Sequence, residues 1–299
     1  MPERVLRVGL VGSGPWARLT VAPALAAAPE VRLTHGWSRN DADLADLARR
    51  HGFEPASTYV DLLDRVDVVA FCVPPDVQAG LTPAALDAGK ALLLEKPVAR
   101  RVEQAERLHG HPEPVLVHYS RLLDSTVAPW LDAAAERTWS SARAVLTNTA
   151  TVGDDPFGRS AWRRETDGAL WDLGPHVLAA LQVALGDVTT VSARRTDEGI
   201  VLETTHARGA SARSLVSVSA STKQDVLELV GTDDCVHRLP RDPRQGGVQT
   251  YRALVSGLVP PSGPSLGPCA AAVMDPAFST SVVATLVAAS AALRAGPAA

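Results

Sequence analysis

Three short stretches of this 299-residue chain hold side chains that could do chemistry together. In "GSGPWA", Gly12 and Gly14 are followed by Ala17 at the third small-residue position of a phosphate-binding turn. Glycines there allow a tight turn and let a pyrophosphate approach the N-terminus of the next helix, whose free N–H groups and dipole favour an anion. In "ALLLEKP", Glu95, Lys96 and Pro97 follow a run of apolar residues. The Lys96 ammonium can donate to a hydroxyl or carbonyl oxygen and, if burial lowers its pKa, transfer a proton. In "AWRRETDGALWDLGPH", Asp172 and His176 stand four residues apart, so that on a helix both side chains share one face. His176 is expected to exchange a proton near neutrality, and Asp172 to hydrogen-bond a substrate or orient the imidazole. On local sequence alone the same two residues read equally well as a helix N-cap and a satisfied core histidine.

Groups so far apart need a fold that joins them. The apolar runs "RVLRVGLVG", "VRLTHGWS", "VDVVAFCV", "ALLLE" and "PVLVHY" alternate with the helical stretches "PWARLTVAPALAAA", "DADLADLARRHG", "DVQAGLTPAALDAG" and "VEQAERLHG". This is the pattern of βαβ units around a parallel sheet. It sets the glycine turn after the first strand and Lys96 at the carboxyl end of another, where open α/β sheets bind ligands. Near residue 120 the pattern gives way to the longer strand-like runs "ARAVLTNTATV", "TTVSARRT", "GIVLETTHARG", "SARSLVSVSAS" and "DVLELVG". In "LVSVSAS", Val216 and Val218 alternate with Ser217 and Ser219, as in a sheet with one covered face, and the small-residue face could meet a second subunit. "HVLAALQVALG" reads as a helix, with Gly174 and Pro175 setting the turn into it, and "VPPSGPSLGP" as a loop before a last alanine-rich helix. The expected fold is α/β: a Rossmann dinucleotide-binding domain over residues 1–120, then a substrate-binding and oligomerisation α+β domain over 121–299 with a mainly antiparallel open sheet.

The end of the second strand selects between dinucleotides, because an acid there binds the ribose 2'-hydroxyl and repels a 2'-phosphate. This chain has Ser38 and Arg39 instead, a donor and a cation suited to a phosphate, so NADP is the expected cofactor with NAD as the alternative.

Taken together, "GLVGSGPWA", "ALDAGKALLLEKP" and "AWRRETDGALWDLGPH" resemble the Gfo/Idh/MocA family of glucose-fructose oxidoreductases and inositol dehydrogenases, and the resemblance runs over nearly the whole chain. The last stretch is similar to the family pattern of Trp-Arg, then Gly, three residues, Asp, one residue, Gly, one residue, His. The resemblance implies that Lys96, Asp172 and His176 surround the nicotinamide, and that Trp162 and Arg163 join Asp172 and His176 against the substrate. It implies a cofactor site from Gly12, Ser13, Gly14, Pro15, Trp16, Ser38, Arg39, Pro74, Pro75, Gln78, Glu95, Lys96 and Pro97. It also implies an NAD(P)-dependent dehydrogenase or reductase of sugar-like alcohols and ketones that works as a homodimer or homotetramer. Two departures stand out. Gln78 occupies the place of the family's usual His, and the glycine cluster before the catalytic Asp is reduced to Gly168, preceded by Asp167. Arg121, Arg159, Arg163 and Arg164 could add a grip on an anionic substrate group such as a nucleotide-sugar diphosphate. Reduction of an imine or enone-like carbon, or a catalytically silent dinucleotide sensor, are the other functions such a chain could serve.

Composition narrows the field. Hydrophobic residues at 46% and charged residues at 21% are ordinary for a folded globular chain. A net charge of -4 without a long basic run gives no field for a phosphate backbone, so no nucleic-acid partner is expected. Cys72, Cys235 and Cys269 are widely spaced and lie near no His pair, so no metal site or disulfide framework is expected, and a cytoplasmic setting fits. "MPERVLRVGLVG" lacks the apolar core of a signal peptide and "SVVATLVAASAAL" reads as too short to span a bilayer, so no membrane association is expected.

Overall fold

A computed structural model describes residues 5–152, 155–240, 246–258 and 266–295, without the Arg159 side chain. Most of the loop "VPPSGPSLGP" therefore lies outside the described residues. The first part runs β1 (Leu6–Val11), α1 (Ala22–Ala26), β2 (Val31–Trp37), α2 (Asp41–His51), β3 (Glu54–Pro55), α3 (Tyr59–Arg65), β4 (Val68–Phe71), α4 (Pro75–Asp87), β5 (Ala91–Glu95), α5 (Val102–Glu106) and β6 (Val115–His118). Its strands pair in the order β3-β2-β1-β4-β5-β6, and every pairing is parallel. Every residue of β4 and the first four of β5 are buried, which is why these strands read as continuous apolar runs rather than as alternation. α2 opens on Asn40, whose side chain accepts from the Asp43 N–H, and closes on Gly52 at φ 70.

The stretch expected to form one helix after the glycine turn is divided into a π-helical turn over Ala17–Val21 and then α1. Pro23 lacks the N–H that would continue the hydrogen-bond ladder, so the turn widens there. β3, α3 and a later strand over Val236–Arg238 were not expected, and each is too short to show a period in sequence.

The second part runs α6 (Val127–Ala135), β7 (Trp139–Thr147), α7 (Gly168–Leu185), β8 (Val188–Thr196), β9 (Gly199–His206), β10 (Ser211–Ser217), β11 (Gln224–Gly231), β12 (Val236–Arg238), α8 (Gly247–Ser256), α9 (Pro268–Met274) and α10 (Pro276–Ala295). Its sheet order is β12-β11-β7-β10-β9-β8, antiparallel except for the parallel β7–β10 pair. α7 lies against β7, β9 and β10, burying Ala142, Ala144, Leu202, Ser214 and Val216. Val216 thus faces the core as expected, but Ser217 is 2% exposed, and the exposed Ser219 follows the end of β10, so the serines of "LVSVSAS" do not form a small-residue face of the sheet. The opposite face instead carries the ion pairs Arg143–Glu228 and Arg213–Glu203.

α10 also corrects the reading of its sequence. At 20 residues and a mean hydropathy of 1.6 it is long and apolar enough to cross a membrane. Here Val282, Val283, Leu286, Ala289 and Leu293 are buried where the helix meets α5, α7 and β8. α10 thereby ties the two sheets together, while α8 packs back on α1 and β6 of the first part.

Candidate active site

The carboxyl end of β5 delivers Lys96 to a cleft of about 410 Å³ between the two sheets, and α7 delivers Asp172 and His176 to the same cleft. Lys96 Nζ donates to the Asp172 backbone carbonyl at 2.7 Å and lies 3.4 Å from Asp172 Oδ1. Arg163 holds the same carboxylate from the other side, with Nε 2.9 Å from Oδ2 and Nη2 3.3 Å from Oδ1. Burial pushes the Asp172 carboxyl up, but the Lys96 and Arg163 charges outweigh it and keep the group below the ordinary carboxylate value. The carboxylate is therefore ionised and fixes the ammonium.

His176 Nδ1 lies 3.3 Å from Ser120 Oγ. Burial, then the Lys96 and Arg121 charges, hold its pKa well below the ordinary 6.5. The expectation of proton exchange near neutrality is thus corrected: a second positive charge beside Lys96 is unfavourable, so His176 is a neutral hydrogen-bonding group at physiological pH.

The helix that carries these residues also begins earlier than expected, at Gly168 rather than His176. Asp172 is no N-cap, and Gly174 and Pro175 lie inside the helix. Each has a tertiary reason to be there. A Cβ on Gly168 would stand 2.3 Å from the Arg163 carbonyl oxygen, and one on Gly174 would stand 2.8 Å from Leu286 on α10. Pro175 cannot donate to the carbonyl four residues before it, which loosens the ladder beside the Asp172 carbonyl that Lys96 takes.

The glycine turn forms the other wall. Gly12 has φ 110, and a Cβ there would meet the Cys72 carbonyl oxygen at 2.3 Å, whereas nothing lies within 4 Å of one built on Gly14. The turn is closed against the sheet on one side and open on the other, a cradle that fits a dinucleotide pyrophosphate. Gly14, Pro15, Trp16, Pro74, Pro75, Glu95 and Lys96 line the cleft. Ser13 and Ser38 share a 2.8 Å hydrogen bond beyond it, with Arg39 exposed beside them. Arg18, which sequence reasoning passed over, ties the Ser13 carbonyl to Asp43 and Asp46 and so fixes the turn to α2.

Gln78 and Pro97 were expected on the cofactor side, and neither lines the cleft. Gln78 is 0% exposed and hydrogen-bonds the backbone around Lys96. Trp162 and Arg163 do line it, with the Arg163 guanidinium 4.5 Å from the Trp162 ring, but Arg163 is committed to Asp172. Of the other arginines suggested for an anionic group, Arg121 pairs with Asp225, Arg164 donates to the Gly158 carbonyl, and the Arg159 side chain is outside the described residues.

Sequence reasoning missed His118, Ser120, Asn148, Phe157 and Lys223, all on the cleft. His118 had a readable signal, since it ends β6 at the ligand-binding edge of the sheet. Its Nδ1 lies 3.2 Å from Glu95 Oε1, the oxygen that also accepts from the Trp16 indole at 2.7 Å. Phe157 packs edge-on to Trp16 at 6.1 Å, a contact that no local pattern announces. Among the described residues no group of side chains could hold a metal ion.

A parallel sheet with a glycine cradle, facing a second sheet whose helix presents Asp and His toward a strand-end Lys, is the architecture of a dinucleotide-binding protein. Residues 6–111 match the Gfo/Idh/MocA oxidoreductase family with an NAD-binding Rossmann fold, and it is this first part of the chain that the match assigns to that family. It is 31% identical over 195 residues to a dTDP-3,4-didehydro-2,6-dideoxy-alpha-D-glucose 3-reductase from Streptomyces violaceoruber, a match covering 61% of this chain and 55% of that protein. The match thus spans little more than half the length of that relative. The fold is shared with GenD2 from gentamicin A biosynthesis in complex with NAD, at TM-score 0.79 and 20% identity over 97% of this chain and 95% of that one. It is also shared with a 3-ketoreductase from Actinomadura kijaniata in complex with TDP-benzene and NADP, at TM-score 0.72 and 21% identity over 97% and 98% of the two chains.

Proposed function

We propose that this chain is an NADP(H)-preferring oxidoreductase that transfers hydride between nicotinamide and a secondary alcohol or ketone carbon of a sugar, cyclitol or sugar-like substrate, including a nucleotide-linked ketosugar. The observation that carries this reading is the meeting of Lys96, Asp172 and His176 on the cleft that the glycine turn borders. The relative named as a reductase of a dTDP-linked didehydro-dideoxy-glucose supports the substrate class.

Gly12, Gly14, Pro15, Trp16, Pro74 and Pro75 would hold the dinucleotide, which supplies or accepts the hydride when bound. In the reducing direction the carbonyl oxygen gains the electron pair of its π bond as hydride reaches carbon. Lys96 donates a proton to that oxygen and is reprotonated from solvent. Asp172 and Arg163 keep the ammonium aimed, and neutral His176 hydrogen-bonds the same oxygen or the neighbouring hydroxyl. In the oxidising direction the proton leaves the hydroxyl for the Lys96 amine. Assay of the protein with NADH and NADPH against a panel of sugar, cyclitol and nucleotide-sugar ketones, and of the matching alcohols with the oxidised cofactors, tests the reading. No turnover with any of them would refute it.

Two finer expectations belong to this proposal. Arg39→Asp replaces an attraction for a 2'-phosphate by a repulsion at the end of β2, so NADPH binding weakens far more than NADH binding. Titration of nicotinamide fluorescence checks this, and a wild type that prefers NADH by about tenfold, or about 1.4 kcal/mol, would contradict it. For assembly, the open face of the second sheet bears the half-buried Leu215 beside the Arg143–Glu228 and Arg213–Glu203 pairs, a mixed surface suited to a homodimer or homotetramer. Light scattering at micromolar concentration is expected to give a multiple of the chain mass, and a monomer would rule the interface out.

A further inference from the structure

Lys96 sits on a turn, yet a proton donor must hold one position relative to the dinucleotide. The side chain that crosses to this turn is Gln78, in the second turn of α4 and 0% exposed. Its Oε1 accepts from the Glu95 N–H at 2.9 Å. Its Nε2 faces three carbonyls, Glu95 at 2.8 Å, Val98 at 3.2 Å and Pro97 at 3.4 Å. One amide thus holds the chain on both sides of Lys96. At its other end, Gln78 belongs to the helix whose first residues, Pro74 and Pro75, line the cofactor side of the cleft, and its own N–H bonds the Pro74 carbonyl at 2.9 Å.

We propose that Gln78 is the positioning residue that fixes Lys96 relative to the dinucleotide shelf, by tethering residues 95–98 to the start of α4. The inference rests on the reading of Lys96 as the proton donor. Gln78 touches neither cleft nor ligand and acts only through the backbone it binds. Residue chemistry limits what can replace it. Leucine fills similar space but supplies no donor or acceptor, so buried backbone groups at Glu95 and Val98 lose partners. Glutamate sets a carboxylate against three carbonyls, and histidine offers at most one donor and one acceptor when neutral.

The chain contains three lysines, Lys90, Lys96 and Lys223, which makes the tether measurable without any substrate. A pulse of dilute acetic anhydride, followed by peptide mass spectrometry, gives the acylation rate of Lys96 relative to exposed Lys223. In the wild type Lys96 is slow, with its side chain 11% exposed and its Nζ on Asp172. In Gln78→Leu the relative rate rises by roughly tenfold as the turn opens, and in Gln78→His it rises by less. Thr82→Val is the control. It removes the Thr82 Oγ bond to the Gln78 carbonyl, loosening α4 without touching residues 95–98, and leaves Lys96 at its wild-type rate. Once a substrate is in hand, kcat of Gln78→Leu falls while dinucleotide Kd holds, and Gln78→His restores part of kcat. Unchanged Lys96 acylation in both Gln78 variants, or an equal rise in Thr82→Val, would overturn the tether. The acylation arm needs no turnover, so a wild type that reduces nothing in the panel defeats the oxidoreductase reading alone.

Discussion

Replacing Lys96 with methionine lowers kcat by roughly 10²-fold or more, the usual effect of losing a general acid or base, while dinucleotide affinity and folding survive. The fold tolerates this change because of Arg163. Methionine keeps most of the buried stem, and the Asp172 carboxylate left behind retains its 2.9 Å and 3.3 Å contacts with the guanidinium. The Asp172 carbonyl at the loosened ladder of α7 loses its Lys96 donor, a cost of about 1–3 kcal/mol that the fold can absorb. Single-turnover hydride transfer is the decisive measurement, since it isolates the chemical step from product release. Near wild-type rates would reduce the Lys96–Asp172 contact to a structural clasp between the domains.

His176 belongs to the same constellation with a different task. Because burial and the neighbouring Lys96 and Arg121 charges hold it neutral, His176→Asn preserves hydrogen bonding in part and costs less than loss of Lys96. The double variant then loses less than the product of the two single effects, since groups acting on one oxygen are not additive. The depressed pKa has a stability consequence as well. Below the ordinary 6.5 the unfolded chain takes up a proton that folded His176 refuses, so stability is full above that pH and falls as the pH drops below it. His176→Asn makes that fall shallower, which urea titrations at a series of pH values will read.

The Rossmann half was legible because its physics is local. Strands buried on both faces read as apolar runs, and Asn40 and Gly52 mark the ends of α2 within a few residues of sequence. α7 was misread at its start because Gly168, Gly174 and Pro175 look like turn residues, while the contacts that require the two glycines come from the Arg163 carbonyl and from Leu286. The Leu286 contact, more than a hundred residues away in sequence, is invisible to any local window. The same holds for Gln78, whose partners lie 17 to 20 residues away, and for Arg163, whose attachment to Asp172 depends on how the segment before α7 folds back. The residue types of the site could be read from spacing and resemblance. Which of them face the cleft, and which hold others in place, was decided by packing.

Removing the Asp172 side chain has the largest expected effect on folding. Its carboxylate is 8% exposed and lies between Lys96 at 11% and Arg163 at 19%, so Asp172→Ala leaves two cations in one poorly solvated space with no anion between them. Breaking a buried pair from one side costs roughly 3–5 kcal/mol, because the remaining charge keeps its desolvation penalty after its partner is gone. Asp172→Ala is therefore expected to lose about that much stability in urea unfolding, along with kcat. Adding Arg163→Met removes one stranded cation and should recover part of the stability, while kcat stays low because Lys96 has still lost its anchor. The two readouts separate the roles of the carboxylate. Asp172 also contributes stability through its depressed pKa, present above the ordinary carboxylate value of 3.8 and lost as the pH falls through the lower folded value, and this contribution vanishes in both variants. A folded Asp172→Ala protein with wild-type stability would show that Lys96 and Arg163 find water or other partners on their own, and that the carboxylate is not what brings the catalytic strand end and α7 together.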